Sequence, residues 1–557
     1  METRSRRVAV IGAGPSGLAT VKELLEEGHQ PTCFERAASL GGVFRFAQDE
    51  GVVWESCRLT SSGLLTAFSD FPVAPDHTGH MKVGEYVEYL GRYCTTFGVH
   101  RHLRFGSTVE AVERKPSGAW TVRWTGADGR HEEGFDAVAV CSGLHQHPHE
   151  PRFPGQETFP GAVIHGAQYR RPSEISGKRV LIVGAGESGA DIVAEVANHA
   201  AETVLSLRRG VAVQARFRFG KPGDYRTSRL ANCPAHWVAY TRNPADNWKR
   251  NLYRTVFLPL VIVDKCLQLL YRAGWEYLPL VASGSASEIG VNIRTKKLIA
   301  QLLADSGGVL TEQFGTKSDD FVRAIARGQC RLAQALARFE GPRAIFEDGG
   351  EFEPDVVILC TGFETKIPFL EPEIAQAPRF LHTFHPHVGA DLAFVGFLRP
   401  AFGAIPPLAE LQARWFALLQ SGRLQLPPQE RMQASIEYWM RSRAHNYHPI
   451  KGRLEHLVDH APFCDALAAE IGCKPSRAAL RNETLGFRLR TFAGPFVAAQ
   501  YRLVGPHAKP AIAREVIGAL PIVHPAPELI NHYLRWQMSR TLHRVLGSEF
   551  APKLAIQ

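Results

Sequence analysis

One stretch near the start of the chain limits what the rest can fold into. Arg7 to Ile11 is a short β-branched apolar run, Gly12-Ala-Gly-Pro-Ser-Gly17 follows at once, and Leu18 to Glu27 sets apolar residues at helical spacing. Pro31 to Glu35 then reads as a second strand ending on an acid. Strand, glycine turn, helix and strand in that order is the context that makes G-x-G-x-x-G a dinucleotide fingerprint. Gly12 allows the tight turn, Gly14 lets backbone approach a pyrophosphate, and Gly17 lets the helix pack on the strand. With Pro15 and Ser16 opening the helix, its N-terminus offers free N–H groups and a partial positive charge to phosphates. Glu35 stands where a carboxylate can accept from both ribose hydroxyls, so this nucleotide is expected to lack a 2′-phosphate. The bland alternative is a chance glycine pattern in an ordinary α/β turn.

The pattern recurs. Lys178 to Val183 is a strand, Gly184-Ala-Gly186-Glu-Ser188-Gly189 a turn, Ala190 to Ala200 a helix, and Thr203 to Leu207 the next strand. Here Arg208 and Arg209 follow the strand, not an acid. A guanidinium fork suits a 2′-phosphate, so the second unit is expected to take NADPH and the first another adenine dinucleotide. Arg208 and Arg209 as a merely solvated strand end is the competing reading. Two further runs, Phe135 to Gly143 and Pro354 to Gly362, each give an acid, a continuous apolar stretch, then a small residue and glycine. Apolar on both faces, they read as buried parallel strands. The second comes well after the NADP unit has begun, so the chain is expected to leave the first domain, build the second and return.

The fold expected is α/β: two doubly wound, Rossmann-like domains with the NADP domain inserted in the first, plus a helical insertion and a C-terminal extension. The boundaries expected are 1–168, 169–330 with an insertion at about 215–315, a return over 331–425, and an extension over 426–557. A length of 557 residues fits several domains. Ten cysteines without a C-x-x-C read as scattered buried thiols, not a disulfide framework or zinc site. His145-Gln-His147-Pro-His149 reads as a linker, since no carboxylate or cysteine at ligand spacing completes a metal site. A net charge of +9 is mild for this length, and no basic cluster with aromatic platforms argues for nucleic acid. With neither a leader nor a span of roughly 18 apolar residues, a cytoplasmic protein is expected. Val256 to Val281 is apolar with few, mixed charges. It reads as a helical insertion packed on its own protein, with peripheral contact at a membrane surface as the alternative. Oligomeric state is open, a homodimer included.

Between the two glycine turns lies Phe159-Pro-Gly161-Ala-Val-Ile-His165-Gly-Ala-Gln-Tyr169. This resembles the F-x-G-x-x-x-H-x-x-x-(Y/F) fingerprint of the flavin-containing monooxygenases, in spacing and in position. Tyr169-Arg170 departs from the ending of the related Baeyer–Villiger fingerprint. Similar blocks are Gly41 to Phe46, Ser69 to Pro72, Cys360 to Leu370, Glu410 to Trp415, Glu470 to Pro475 and Gln500 to Pro506. Together they make the likeness run nearly the whole chain, to the longer animal-type members, although Leu534 to Gln557 is polar and basic where those carry a hydrophobic anchor. The resemblance implies FAD on Gly12, Gly14, Pro15, Ser16, Gly17 and Glu35, with Gly42, Val43 and Phe44 near the ring system. It implies NADP on Gly184, Gly186, Ser188, Gly189, Ala190, Asp191 and Arg208, with Arg209 assisting and His165 placing the nucleotide. Asp191 also fits a plain reading, an acid favouring a helix N-terminus.

Counting back from Ser69, the family's asparagine beside the flavin falls on Thr60, followed by Ser61; these are the candidate catalytic positions. Threonine keeps a hydroxyl but loses the amide's paired donor and acceptor. The family chemistry implied is reduction of FAD by NADPH, uptake of O₂, and transfer of one oxygen from a flavin hydroperoxide to a soft nitrogen or sulfur nucleophile of a small molecule. Xenobiotic amines and sulfides fit that description. Baeyer–Villiger oxidation of ketones and an uncoupled NADPH oxidase are the alternatives. A disulfide reductase would need paired redox cysteines, and Cys33 and Cys57 have no near partner.

Overall fold

The computed structural model describes residues 5–218, 220–229, 286–306, 315–446, 456–476 and 478–523. Among these, ten strands build two parallel sheets: β1 (Arg7–Ile11), β2 (Gln30–Phe34), β3 (Leu103–Arg104), β4 (Ala137–Val140), β5 (Ala162–His165), β6 (Arg179–Val183), β7 (Glu202–Ser206), β8 (Arg331–Ala333), β9 (Val356–Leu359) and β10 (Leu392–Phe394). The first sheet runs β10-β4-β1-β2-β3 and the second β5-β9-β6-β7-β8, so the two orders match strand for strand. In each, the strand before the glycine turn is central, with the returning strand on one side: Val8 to Ile11 beside Ala137 to Val140, and Val180 to Val183 beside Val356 to Leu359. The returning strands are buried along their whole length, as parallel strands covered on both faces must be. Before each return the chain makes a three-stranded antiparallel excursion, over 108–135 in the first unit and 336–352 in the second.

The insertion of one doubly wound unit in the other is thus as expected, but its edges are not. Boundaries at 168 and 330 both cut the second sheet, because β5 precedes the first and β8 and β9 follow the second. A glycine turn marks a central strand, whereas edge and returning strands carry no such motif. The chain rejoins the first sheet only at β10.

Four helices position the site: α1 (Pro15–Glu26), α2 (Glu187–Val196), α3 (Asp320–Ala326) and α4 (Ile405–Gln420). α1 lies against α4, and α2 against α3. Every residue of α4 from Pro406 to Gln420 is buried, which a helix tolerates only in the middle of a large core. The extension is part of that core. Arg502, fully buried, donates to Glu410 of α4 at 2.9 Å and to Ser69 at 2.6 Å, and pairs with Glu23 of α1 and with Asp70 at 3.3 Å. Lys22 sits 3.0 Å from Glu23, and His507 2.9 Å. Burial opposes ionisation of Glu23, yet Arg502 and Lys22 hold its carboxyl well below the usual range. Ser69 to Pro72, Glu410 to Trp415 and Gln500 to Pro506 are therefore parts of one buried ion cluster under α1.

The tract 256–281 and the segment Leu534 to Gln557 lie outside the described residues. Among the described residues no helix is long and apolar enough to cross a membrane.

Candidate functional site

The first glycine turn closes against the returning strand. Gly12 has φ +106°, and a Cβ there would lie 2.8 Å from the carbonyl oxygen of Cys141. A Cβ on Gly17 would lie 1.8 Å from the Gly12 carbonyl oxygen, so only glycine lets α1 start this close to β1. α1 begins at Pro15 with no side chain capping it, which leaves the first-turn amides of Ser16 and Gly17 to a ligand. Pro15 itself is buried and has no N–H. Gly42, Val43 and Phe44 form a single turn against this loop: Gly41 N–H donates to Ala13 at 3.0 Å, and a Gly42 Cβ would meet Gly14 Cα at 2.8 Å. The Phe44 ring meets Tyr86 edge-on at 4.9 Å. Glu35 follows β2 and accepts from Ala13 N–H at 2.7 Å and Ala37 N–H at 2.9 Å. Each carboxylate oxygen keeps a further lone pair for a ribose hydroxyl. Gly396, which carries no sequence signal, completes the cradle; a Cβ there would lie 2.2 Å from Ser16 Oγ.

The second turn repeats this frame. Gly184 has φ +98°, its Cβ would meet the Cys360 carbonyl oxygen at 2.8 Å, and a Gly189 Cβ would lie 2.2 Å from the Gly184 carbonyl oxygen. Gly186, Ser188, Arg208 and Arg209 are exposed around it. Two details differ from the sequence reading, and a third was not marked in it. Ala190 is wholly buried and its N–H donates to Gly186 at 2.9 Å, so it has no amide for a phosphate. Asp191 pairs with Arg216 at 2.6 and 2.8 Å, a partner with no sequence motif, and is thereby occupied. Glu187, at the N-terminus of α2, accepts from the Lys317 backbone N–H and side chain, both at 3.1 Å.

His165 is a clasp. Its Nδ1 accepts from Ala167 N–H at 3.0 Å, and its Nε2 donates to the Gly362 carbonyl at 3.1 Å. Both ring nitrogens are engaged by backbone, so it joins β5 to the turn after β9 and is no direct nucleotide ligand. Burial holds its pKa below the usual imidazole value. The rest of that motif is structural too: a Gly161 Cβ would lie 2.6 Å from the Asp355 carbonyl oxygen, and buried Tyr169 donates to Glu195 at 2.9 Å. The histidine run does not gather a metal site. His147 and Pro148 pair with Phe363 and Glu364, and His149 bonds Glu364 at 2.8 Å. Cys33 and Cys57 are both pushed up by burial and, like the other described cysteines, unbridged.

Thr60 lines a cavity of about 200 Å³ with His80, Gln214, Asp224, Arg226, Lys317 and Phe402, among others. A larger cavity of about 340 Å³, around Trp54, Asp191, Glu195 and Arg323, includes neither glycine turn nor Thr60. Of the two, only the smaller contains a candidate catalytic position. Ser61 faces away, bonded to Thr66 Oγ1 at 2.8 Å and buried. The loop carrying Thr60 is gripped from both sides: His80 Nδ1 donates to the Leu59 carbonyl at 3.0 Å, and Asp224 accepts from Ser62 N–H at 2.6 Å. None of His80, Asp224, Lys317 and Arg216 was legible in sequence; each lies in a stretch without a repeat or spacing to mark it.

The comparisons agree with this geometry. Residues 5–231 and 286–519 match the sequence model of the family described as flavin-binding monooxygenase-like. The chain is 32% identical to a 4-hydroxybenzoate brominase (decarboxylating) of Marinomonas mediterranea over 96% of its own length and 97% of the relative's. It is 31% identical to dimethylaniline monooxygenase [N-oxide-forming] 2 of Pan troglodytes, covering 90% and 89%. The solved structure of S-allyl-L-cysteine S-oxygenase from Allium sativum superimposes with a TM-score of 0.58 at 25% identity, covering 85% and 90%. With the family matched along most of its length, the chain belongs to the flavin-binding monooxygenase-like family, oxidoreductases that use FAD and NADPH to act on small molecules with O₂.

Proposed function

We propose that this enzyme transfers one oxygen atom from O₂ to a soft nitrogen or sulfur nucleophile held in the cavity beside Thr60, with NADPH as reductant. The observation that carries the reading is the pairing of two closed glycine turns, one ending in Glu35 and one in Arg208, with a cavity lined by Thr60. Bound FAD, once reduced by NADPH, supplies the activation of O₂ that no side chain can. What the chain supplies is placement. The glycine cradle at Gly12, Gly14 and Gly17 and the amides of α1 hold the FAD pyrophosphate, and Glu35 its ribose. Ser188 and Gly189, with Arg208 at the 2′-phosphate, hold NADPH. Thr60, in the cavity wall, would offer a hydroxyl to the bound substrate. The N-oxide-forming and S-oxygenase relatives favour nitrogen and sulfur as acceptors over Baeyer–Villiger oxidation.

The test is the fate of reducing equivalents. With methyl phenyl sulfide present, NADPH consumed should equal sulfoxide formed, with little hydrogen peroxide. Complete diversion to peroxide with no sulfoxide would sink the reading in favour of an oxidase. Thr60→Asn should raise the coupled fraction.

A second reading rests on the lining. Arg216, Arg226 and Lys317 surround the cavity, which favours anionic aromatic substrates, and the brominase relative is named for one, 4-hydroxybenzoate.

A further inference from the structure

One polar side chain of α4 takes no part in the ion cluster under α1. Gln412 is wholly buried, and its Oε1 accepts from the Gly396 N–H at 2.9 Å. Its Nε2 donates to Thr383 Oγ1 at 2.8 Å and to the Leu381 carbonyl at 3.2 Å, and Thr383 Oγ1 donates to that same carbonyl at 2.8 Å. The Leu381 carbonyl can only accept and the Gly396 N–H can only donate, so the amide has one usable orientation. A methionine there would fill the core without the cost of burying an amide. What the amide gains lies at its two ends.

One end is strained. Leu381 and His382 have φ +47° and +54°, two adjacent left-handed residues that are not glycine. L side chains avoid that region, and such conformations persist only where their surroundings over-determine them, most often at functional sites. The same turn is pinned to β10, whose Phe394 N–H donates to the Thr383 carbonyl at 2.9 Å. The other end is the cradle. Gly396 is buried with φ +83°, and a Cβ there would lie 2.2 Å from Ser16 Oγ and 3.1 Å from Ser16 Cβ. β5, the strand in the matching place of the second sheet, ends differently: a Cβ on Gly166, just beyond it, would meet Cys360, Ile192 and Leu359 first.

We propose that Gln412 is a positioning residue for FAD: its amide joins the strained turn to Gly396 and so sets how tightly the cradle closes on the pyrophosphate. The inference rests on the first glycine turn being the FAD site. Ser16 carries one of the first-turn amides left to a phosphate, and Gly396 is the backbone pressed against it. With Gln412 in place, Gly396 cannot back away from Ser16 without breaking its own hydrogen bond and releasing the turn. Without Gln412, a buried N–H is left unmatched, and the end of β10 is free to shift.

Gln412→Met removes both ends at similar volume, and Gln412→Glu makes them depend on pH. A protonated carboxyl keeps an acceptor for Gly396 and a donor for Thr383, whereas the ionised form can only accept. Burial places that titration between about pH 6 and 9. Two readouts need no turnover: FAD affinity of the full-length apoprotein, and the phosphorus NMR resonances of FAD bound in the oxidised holoenzyme. Gln412→Met should raise the FAD Kd about tenfold, on the scale of one hydrogen bond, and move the phosphate resonances. Gln412→Glu should bind FAD as wild type does when protonated, and lose affinity relative to wild type as pH rises. Leu418→Ala, further along α4 and equally buried, should lower Tm and leave both readouts alone. If Gln412→Met only lowers Tm, as Leu418→Ala does, or if Gln412→Glu shows no pH dependence beyond that of wild type, the proposal is overturned. Loss of FAD in Gly17→Ala with wild-type affinity in Gln412→Met overturns the positioning role and keeps the site. Normal FAD binding by Gly17→Ala defeats both.

Discussion

Gly12 donates to Phe34 at 2.8 Å and Gly184 to Ser206 at 3.0 Å, while Cys141 and Cys360 each donate back to the central strand at 2.9 Å. Down to single hydrogen bonds, the two nucleotide units share one frame. What differs is what surrounds it. In the first, Gly14 and Ser16 are half-buried and Glu35 is buried, the 42–44 turn and Gly396 close over the loop, and α1 rests on the extension. In the second, Gly186, Ser188, Arg208 and Arg209 stand in solvent. The lesson is that a shared backbone motif fixes where phosphates go, whereas its cover decides whether the nucleotide stays. The first turn is the more covered of the two, and the second the more open.

The comparison can be broken at its foundations. Arg502→Met leaves Glu23, Asp70 and Glu410 buried against one another with only Lys22 and His507 to balance them. A loss of about 3–5 kcal/mol is expected, seen as a lower urea midpoint and as apoprotein lacking flavin absorbance. Arg502 touches only the first unit, so a variant that keeps its FAD and loses only NADPH binding would refute the division drawn here.

Next in size are the matched glycine substitutions. Gly17→Ala should abolish flavin binding, since its Cβ would lie 1.8 Å from a backbone oxygen. Gly189→Ala, at 2.2 Å, should yield a yellow protein that NADPH reduces at least tenfold more slowly. Absorbance after gel filtration and anaerobic reduction rates separate the two.

Arg208→Ala should act only on cofactor choice, raising KM for NADPH by roughly 10- to 100-fold while leaving NADH nearly unaffected, about the value of one charge-assisted phosphate contact. Equal loss with both cofactors would return Arg208 to the status of a solvated strand end.

The smallest effect is on pH dependence at the crossing between the units. Burial pushes His145 down to about 3 and His456 to about 4. Their unfolded pKa is near 6.5, so below that value the unfolded chain binds protons that the folded chain refuses. The stability they contribute is complete above about pH 6.5 and is lost as pH falls toward 4, at up to about 1.4 kcal/mol per pH unit for each group. His145→Gln should flatten the fall of Tm with acidification; an unchanged slope would show that these histidines do not set it.

How far the sequence reached follows from the same contrast. Both turns, the parallel character of β4 and β9 and the insertion of one unit in the other were legible, because each rests on local spacing that sterics enforce. Gly17 must be glycine whatever lies elsewhere. The domain edges were not legible, since β8 and β10 are three-residue strands whose pairing depends on distant partners. Asp191 and His165 show the limit from the other side. Motif position put them near a nucleotide, yet their side chains are engaged by Arg216 and by backbone that no local pattern announces.

Arg502 has a consequence for how the chain is made. α1 leaves the ribosome early, but the second cation beside Glu23, Arg502, is encoded 479 residues later. At ordinary elongation rates the first unit therefore waits on the order of tens of seconds with Lys22 alone to balance Glu23 and Asp70. Flavin retention is thereby expected to depend on the end of the chain: a chain truncated before Arg502 should hold less flavin than the full one.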